Sequence, residues 1–244
     1  MKPYTLSARL SRFIGRAMHD YTMIDSGDRI LVAVSGGVDS LVNAWVLKTW
    51  LKRAPVSYQC EAVYVDNSNW ASVQDHQHPR DCIAQYMREF SIPFHILNGR
   101  MVAGEKPSCH RCSTNRRNQL FEFARDNGFN KIAFGHHKDD LVETFLLNIF
   151  YSGNISTMRP RQELFDGCLY LIRILSYLEK KDVKEIARGV GIEPAKNNCP
   201  LADHTRRDQI RDILEQIKKT VPDAKASIFS ALGNVRDEYM LKQR

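Results

Sequence analysis

Apolar and polar positions follow two different periods along the chain, and each change of period marks a predicted element. Residues 5–20 carry apolar side chains three or four positions apart, which predicts an amphipathic helix. The run 29–34 is almost entirely apolar, and a short turn separates it from the helix-like stretch 41–47. A short apolar run of this kind is typical of a strand that is buried on both faces of a sheet.

The same change of period recurs down the chain. The alternating run 58–65 predicts a second strand, and the helical spacing of 80–91 predicts the helix that follows it. Further strands are predicted at 94–97, 131–135 and 169–175. Further helices are predicted over 138–151 and 179–190, and one more helix is predicted to end at residue 127. Strands that alternate with helices favour an α/β fold with a doubly wound, mostly parallel sheet and helices on both faces.

The pattern is looser after residue 151. Arg159-Pro160-Arg161 predicts a basic bend, and Asp203 is suited to cap a helix that carries several arginines. Residues 220–244 predict a further helix. The expected division of the chain is an N-terminal helical extension over 1–26, a main domain over 27–200, and a C-terminal helical segment of the same body over 201–244.

The junction between the first strand and its helix has the sequence Ser35-Gly36-Gly37-Val38-Asp39-Ser40. A strand, a Gly-Gly turn and a helix start bring backbone N–H groups and the positive helix end together, which is an arrangement that binds phosphate. A side chain at Gly36 or Gly37 would hold a phosphate away from the backbone, and so sharp a turn often requires a positive φ. Asp39 is better suited to Mg²⁺ than to phosphate. The alternative is an ordinary β–α turn. The loop is neither a Walker loop, because Gly-Lys-Ser/Thr is missing, nor the spaced dinucleotide fingerprint.

The second predicted strand ends close to the same loop. In doubly wound sheets, ligands bind beyond the carboxyl ends of the strands. The strand 58–65 runs into Asp66-Asn67 at that end. Val65 and Asp66 are therefore expected to border an adenine or a ribose.

The charge of the chain indicates a class of partner. The 244 residues include 35 Lys and Arg against 28 Asp and Glu, so the net charge is +7. This excess suits a polyanion such as RNA, although charge that only keeps a protein soluble gives the same total. Since no secretory segment and no run of 18 apolar residues is present, we expect a cytoplasmic protein that contacts no membrane.

Arginines on two predicted helices fit two roles. Arg9, Arg12 and Arg16 fill positions between the apolar residues of the first helix, and Arg206 and Arg207 open the helix that follows Asp203. A solvated helix face and contact with RNA phosphates both explain such a pattern. The sequence does not separate the two roles.

The cysteines are expected to stay reduced in the cytosol, as core residues or metal ligands rather than in disulfides. Cys109 and Cys112 form a C-x-x-C pair at a predicted helix start, where Arg111 and other arginines favour thiolates. Such a pair fits a redox dithiol, half of a zinc site or part of an iron–sulfur site. Cys60, Cys82 and Cys168 lie in apolar strand or helix patterns and are predicted to be core residues.

Cys199, in a loop with Asn and Pro, supplies a third thiolate. A cubane cluster held by three cysteines leaves one iron without a protein ligand, free to bind a substrate or a sulfide. Zinc bound by the three cysteines with His110 or His204 is an alternative site. The simplest alternative is three buried cysteines without a metal.

Four motifs in this order resemble one family. The loop 35–40 resembles the PP-loop of the ATP pyrophosphatases, enzymes that release pyrophosphate from ATP and leave AMP on a substrate oxygen. With 109–117, 134–140 and Cys199, it resembles the tRNA 2-thiocytidine synthetases, which are ATP-dependent iron–sulfur tRNA sulfurtransferases. The resemblance extends roughly over residues 10–215.

The resemblance implies a two-step thiolation. ATP activates a pyrimidine carbonyl oxygen, at C2 of a cytidine in the anticodon loop, and sulfide delivered on a 4Fe-4S cluster then replaces AMP. Cys109, Cys112 and Cys199 are the implied cluster ligands, and Asp39 is the implied Mg²⁺ ligand. The implied catalytic residues are Asp39, Arg116 and Asp140. The implied ATP-binding residues are Ala33, Val34, Ser35, Gly36, Gly37, Val38, Asp39, Ser40, Val65, Asp66, Gly135, Asp139 and Asp140.

The implied partners are tRNA, sulfide or a donor whose sulfur comes from a cysteine desulfurase, and a second copy of the chain. Two positions depart from the family: Val38 stands where Lys is usual, and Ala202 stands where many members carry another cysteine. Alternative functions are a PP-loop sulfurtransferase for another tRNA base or a small molecule, and a zinc-stabilised RNA-binding module without catalysis. Asp139 and Asp140 also suit a helix N-terminus, where negative charge complements the dipole.

Overall fold

The computed structural model describes residues 4–67, 79–100, 109–195 and 206–241, with the backbone alone at 109 and 110. Its strands are β1 (Arg29–Ala33), β2 (Gln59–Asp66), β3 (Phe94–Asn98), β4 (Lys131–Ala133), β5 (Arg161–Leu164) and β6 (Leu169–Ile172). Its helices are α1 (Ala8–Asp20), α2 (Val38–Trp50), α3 (Pro79–Phe90), α4 (Cys109–Asp126), α5 (Lys138–Ser152), α6 (Lys180–Val190), α7 (Arg206–Thr220) and α8 (Ala224–Ala231). A short 3-10 helix, Asp237–Tyr239, follows α8.

The strands form one sheet in the order β3-β2-β1-β4-β6-β5. β1 pairs in parallel with β2 and β4, β4 pairs in parallel with β6, and β5 runs antiparallel to β6. The chain passes from β1 to β2 and β3 on one side and then returns to β4 on the other side. The space beyond the ends of β1 and β4 is therefore the switch point at which doubly wound folds bind ligands. The predicted fold class is confirmed.

Alternate residues of β1 pack on opposite faces of the sheet. Ile30 and Val32 belong to the larger apolar cluster, which includes residues of α1, α2, α3 and α6. Leu31 belongs to a second cluster with Leu120 and Ala124 of α4. Because both faces of β1 are buried, the sequence after its first residue, Ile30-Leu31-Val32-Ala33, is continuously apolar instead of alternating.

The chain forms two compact units. The first unit consists of residues 1–137 and 160–203 and contains the sheet. The second unit consists of residues 138–159 and 204–244, and its helices α5, α7 and α8 pack around Val142, Leu146, Ile210 and Leu214. The three-part division expected from the sequence stays a prediction. Among the described helices, none has both the length and the hydropathy needed to cross a membrane.

The arginines of α1 are partly engaged in ion pairs of the first unit. Arg9 donates to Asp182 at 2.8 Å and to Glu185 at 3.0 Å, so it joins α1 to α6. Arg16 lies 3.3 Å from Asp20 on its own helix. The pairs of Arg9 with Glu185 and of Arg16 with Asp20 are exposed and contribute little to stability, whereas the Asp182 carboxylate that Arg9 also contacts is buried.

A buried lysine joins the amino ends of β1 and β4. Lys131 is 2% exposed, and its Nζ lies 2.6 Å from a carboxylate oxygen of Asp28 and 2.9 Å from one of Asp25. The amide of Asn130 donates to the other oxygen of Asp28 at 2.7 Å. A buried ammonium is tolerated only when carboxylates and hydrogen bonds replace its water, so this network holds the two central strands together.

We predict that Lys131→Ala lowers the free energy of unfolding by about 3 kcal/mol, because it leaves the buried carboxylate of Asp28 without its cation. Urea denaturation measures the change. Lys184→Ala is the matched control, since Lys184 is an exposed lysine of α6 and its loss should change stability by less than about 0.5 kcal/mol. Equal stability of the two variants would contradict the role of the network.

One strand and one cysteine differ from the sequence-based prediction. The predicted bend lies at Pro160, but β5, which begins at Arg161, was not predicted, because the polar sequence Arg-Gln-Glu-Leu forms an edge strand that pairs on one side only. Cys168 was predicted to be a core residue and is instead exposed, in the turn between β5 and β6. Phe165 and Asp166 have positive φ there, at 52° and 53°, so the tight turn directs the following residues to the surface.

The other two cysteines of that group differ from each other. Cys60 in β2 is buried as predicted, and burial raises the pKa of its thiol to about 11. Cys82 in α3 is half-buried, and burial raises its thiol pKa as well. Both thiols therefore stay protonated at neutral pH, and protonated thiols are poor nucleophiles.

We predict that iodoacetamide at pH 8 alkylates Cys168 in the native protein, whereas Cys60 reacts only after denaturation. The reason is that Cys60 is buried and almost fully protonated at this pH, while Cys168 is open to solvent. Peptide mass mapping before and after unfolding separates the two sites. Rapid alkylation of Cys60 in the folded protein would be the contrary result.

Candidate nucleotide-binding and catalytic site

The turn after β1 depends on one glycine with a left-handed backbone. Gly36 has a φ of 85°, whereas Gly37 has a φ of −71° and serves as the N-cap of α2. The carbonyl of Gly36 accepts a 2.9 Å hydrogen bond from the backbone N–H of Ala195. A Cβ at Gly36 would lie 3.0 Å from the Cβ of Ala195. The expected positive φ is thus found at the first glycine, where it also lets another segment approach closely.

The two serines of the loop have different roles. The hydroxyl of Ser40 donates to the carbonyl of Gly37 at 2.8 Å and accepts from the backbone N–H of Ser35 at 3.1 Å. Ser40 is buried and fixes the shape of the turn. Because the proton of Ser40 is used inside the loop, Ser35 is the serine whose hydroxyl can turn towards a ligand. Its Oγ lies 3.3 Å from that of Ser40 in this structure.

The loop after β4 packs directly against the start of α2. A Cβ built at Gly135 would lie 2.6 Å from the carbonyl oxygen of Asp39 and 2.8 Å from the backbone nitrogen of Ser40. Both distances are far below van der Waals contact. A glycine at 135 is therefore required for the two ligand-binding ends of β1 and β4 to meet.

Asp39 carries the negative charge of the loop. Both of its carboxylate oxygens lie 2.6 Å from the Nζ of Lys180, the first residue of α6, and one lies 3.8 Å from Nε2 of the buried His137. The Asp39 side chain is 32% exposed. A partly exposed carboxylate that already binds a cation fits the predicted Mg²⁺ ligand, although no described group of three or more His, Cys, Asp or Glu side chains forms a complete metal site.

The side chains of the other residues predicted on β1 and β2 are largely packed in the interior. Val34 and Val65 are buried in the two apolar clusters, and Ala33 is packed beside one of them. Asp66 is 6% exposed, and its carbonyl accepts from Gly99 at 2.8 Å. Their contact with ATP stays a prediction.

Arg173 is a buried cation that the sequence patterns did not predict, and it contacts the loop after β4. It directly follows β6, is 5% exposed, and its Nε donates to Nδ1 of His136 at 3.3 Å. Burial, with a smaller effect of the nearby charge of Arg117, lowers the pKa of Arg173 to about 10. It remains a cation at neutral pH. The signal in the sequence that could have identified Arg173 is its position as a single charged residue between Ile172 and Ile174 in an apolar run.

Asp139 and Asp140 lie in the second unit and form ion pairs there. Asp139 accepts from Lys225 at 2.8 Å, and Asp140 accepts from Arg207 at 3.3 Å. Arg207 also donates to Thr144 at 3.1 Å. These contacts explain why the start of α5 carries two carboxylates, and a role of the pair at Mg²⁺ or ribose stays a prediction.

Two other arginines of α7 are engaged in the second unit. Arg211 donates to Glu143 at 2.8 Å, and this hydrogen bond raises the pKa of Arg211. The guanidinium of Arg206 lies 4.8 Å from the centre of the Tyr151 ring. Arg206 and Arg211 of α7 thus have contacts within the second unit. Whether this face of α7 is only solvated or also contacts tRNA phosphates stays a prediction.

The C-x-x-C pair lies in the first turn of α4, as predicted, since the helix begins at Cys109. The Sγ of Cys112 is half-buried and accepts from the amide of Asn67 at 3.5 Å. Arg116, one turn further along α4, is half-buried, and its charge opposes the effect of burial on Tyr64, whose pKa is raised to about 12. Cys199 and the side chain of Cys109 lie outside the described residues, so the three-cysteine cluster site stays a prediction.

Known proteins match this chain over nearly its whole length. Residues 6–217 match the PP-loop domain family. The tRNA-cytidine(32) 2-sulfurtransferase of Acinetobacter baumannii (strain ACICU) is 36% identical over 241 residues, which cover 95% of this chain and 78% of that protein. The protein of the same name from Nitrosomonas eutropha is 35% identical over 240 residues, covering 95% and 74%. The chain belongs to the tRNA-cytidine 2-sulfurtransferase family of PP-loop proteins.

Solved structures show that this PP-loop protein shares its fold with enzymes that act on other substrates. The U34-tRNA thiolase NcsA of Methanococcus maripaludis, solved with its 4Fe-4S cluster, aligns with a TM-score of 0.73 at 19% identity, covering 95% of this chain and 81% of that one. The NAD+ synthetase of Burkholderia pseudomallei aligns with a TM-score of 0.50 at 15% identity, covering 93% and 89%. At these identities the likeness concerns the fold of the family and not its substrate.

We predict that Gly135→Ala weakens ATP binding about tenfold or more, because the new methyl group pushes the β4 loop away from Asp39 and Ser40. Overpacking of this kind lowers stability by about 1–3 kcal/mol as well. Calorimetric titration with Mg·ATP and urea denaturation measure the two effects. Gly233→Ala is the control, since its Cβ would have only one neighbour, at 3.9 Å. Wild-type affinity of the Gly135→Ala variant would contradict the required close approach.

Proposed function

We infer that this chain is an ATP-dependent tRNA 2-sulfurtransferase that converts a cytidine of tRNA, at position 32, to 2-thiocytidine. The observation that carries this proposal is its identity of 35–36% with proteins named tRNA-cytidine(32) 2-sulfurtransferase over 95% of the chain. The preformed PP-loop and the glycine contact at 135 support it, since both would be needed for adenylation.

The first step is adenylation of the base. The C2 oxygen of the cytidine attacks the α-phosphorus of ATP, an O–P bond forms, and the bond from that phosphorus to the pyrophosphate oxygen breaks. The backbone N–H groups at Gly36 and Gly37 and the positive end of α2 stabilise the charge on the departing pyrophosphate. Mg²⁺ held by Asp39 would neutralise the same charge when bound. Ser35 supplies a hydroxyl donor beside these groups.

The second step replaces oxygen by sulfur. A sulfide attacks C2 of the adenylated base, the C2–O bond breaks with its electron pair on AMP, and a C2–S bond takes its place. Adenylation is needed because an amide-like oxygen is a poor leaving group and AMP is a good one. A 4Fe-4S cluster held by Cys109, Cys112 and Cys199 would supply a coordination position for the sulfide. Arg116, on the same helix as two of these cysteines, is suited to steady the phosphate of the adenylate.

The chain carries features that fit this cluster. Cys112 accepts a hydrogen bond from Asn67 at the carboxyl end of β2, and hydrogen bonds to sulfur stabilise negative charge on it. Arg111 and Arg116 add positive charge to the first turns of α4. The sulfur donor, cytoplasmic location and pairing with a second copy of the chain belong to the same proposal and rest on the family alone.

We expect a strain that lacks this gene to lose 2-thiocytidine from its bulk tRNA, as measured by mass spectrometry of nucleosides. The wild-type gene should restore it, and Cys112→Ala should not, because the cluster loses a ligand. Cys168→Ala is the matched control, since this cysteine is exposed in a hairpin turn, and it should restore thiolation fully. Purified Cys112→Ala protein should still bind ATP, because the PP-loop is intact.

Three results would each contradict a part of the proposal. An unchanged 2-thiocytidine level in the deletion strain would show that the acceptor is another base or a small molecule. Restoration by the Cys112→Ala gene would show that the C-x-x-C pair has no part in sulfur transfer. Colourless protein with stoichiometric zinc after anaerobic purification would replace the cluster by a structural metal.

A further inference from the structure

The PP-loop contains a negative side chain and no positive one. Residues 34–40 have the sequence Val-Ser-Gly-Gly-Val-Asp-Ser, in which Asp39 is the single charged residue. The start of a helix contributes only about half of a positive charge. ATP brings several negative charges to the loop. Apart from the Mg²⁺ that Asp39 would hold, a cation next to the phosphates therefore has to come from a side chain outside the loop.

Lys180 places an ammonium at this position. It is the first residue of α6, and its Nζ lies 2.6 Å from both oxygens of Asp39, 141 residues away in sequence. Asp39 is in turn the second residue of α2, beside the N-cap Gly37. The starts of two helices and an ammonium thus meet at one point in the first unit, where their positive charges favour an anion.

The requirements of helix α6 do not explain a lysine there. A positive side chain in the first turn opposes the helix dipole, so this position favours acidic residues. Glu179 and Asp182 already cap the helix through a reciprocal capping box. The helix start therefore gains nothing from Lys180, and the position of this lysine is explained by the group that it reaches.

The contact with Asp39 is also suited to exchange. The side chains of Lys180 and Asp39 are 39% and 32% exposed, and ion pairs open to water are weak. The lysine stem is long and flexible, so its ammonium can move several ångströms without a change in the backbone. Asp39 can therefore exchange the ammonium for a divalent cation.

We propose that Lys180 is the lysine that binds the phosphates of ATP in this chain. Without nucleotide it rests on Asp39; when Mg·ATP binds, the metal takes the carboxylate of Asp39 and the ammonium of Lys180 turns to the phosphate oxygens. This assignment rests on the proposed function. It also accounts for Val38, because a lysine delivered by α6 removes the need for one inside the loop.

The test measures the affinity of the full-length protein for Mg·ATP by isothermal titration calorimetry, without tRNA. Lys180→Ala and Lys180→Met, which keeps the length of the stem, should each bind at least tenfold more weakly than wild type. Lys180→Arg should remain within about threefold, since it keeps the charge. Lys181→Ala is the matched control: Lys181 is the next residue of α6, is exposed, and pairs with Glu179 instead. Its affinity should stay within about twofold.

Thermal unfolding gives an independent measurement. All four variants should unfold at the wild-type temperature without nucleotide, because the Lys180–Asp39 pair is exposed. Saturating Mg·ATP should raise the unfolding temperature of wild type and Lys181→Ala, and should raise that of Lys180→Met much less at the same concentration. Wild-type ATP affinity in Lys180→Met, or an equal loss in Lys181→Ala, would overturn the role of Lys180.

The same titrations separate this proposal from the function on which it rests. If the wild-type protein binds Mg·ATP and Lys180→Met binds it equally well, the role given to Lys180 is wrong, but the proposed function is not affected. If the wild-type protein binds no ATP at all, the proposed sulfurtransferase is wrong, and the assignment of Lys180 is wrong with it.

Discussion

The contact between Gly135 and the backbone of Asp39 and Ser40 is the constraint on which the rest of the site depends. The loops after β1 and β4 must share the narrow space beyond two neighbouring parallel strands. Only a residue without a Cβ leaves enough room for both. The turn at Gly36, the hydrogen bonds of Ser40 and the position of His137 beside Asp39 all presuppose this approach, so the site is assembled by backbone packing before any ligand contributes.

Electrostatics then determine what the packed loops can hold. Lys180, at the start of α6, contacts Asp39 of the PP-loop, and Arg173, which directly follows β6, contacts His136 of the loop after β4. Burial lowers the pKa of Arg173, but Arg173 stays charged at neutral pH, whereas Lys180 is exposed and movable. A movable cation beside the PP-loop suits a reaction in which a polyphosphate enters and leaves in two parts.

Local patterns were enough to predict five of the six described strands, the PP-loop and the helix start at Cys109, because each depends on neighbouring residues. Features that depend on distant residues were missed. Lys131 resembles a surface lysine until Asp28 is placed beside it, and Lys180 is joined to Asp39 only by the fold. β5 was not predicted because it is an edge strand, and edge strands need few apolar residues. The three-cysteine site and the role of Asp140 are still predictions, since the sequence motifs alone support them.

The strand order also sets the time at which the site forms during synthesis. β1 lies between β2, which follows soon in the chain, and β4, whose neighbour Asn130 is 101 residues from Arg29. The ribosome releases the chain from the N-terminus. The side of β1 that pairs with β4 therefore stays unpaired while α3, β3 and α4 are made. Contacts so distant in sequence close slowly, and an unpaired apolar strand is a site of aggregation. A fold that places its ligand site at the switch point therefore needs protection of the nascent chain at this edge.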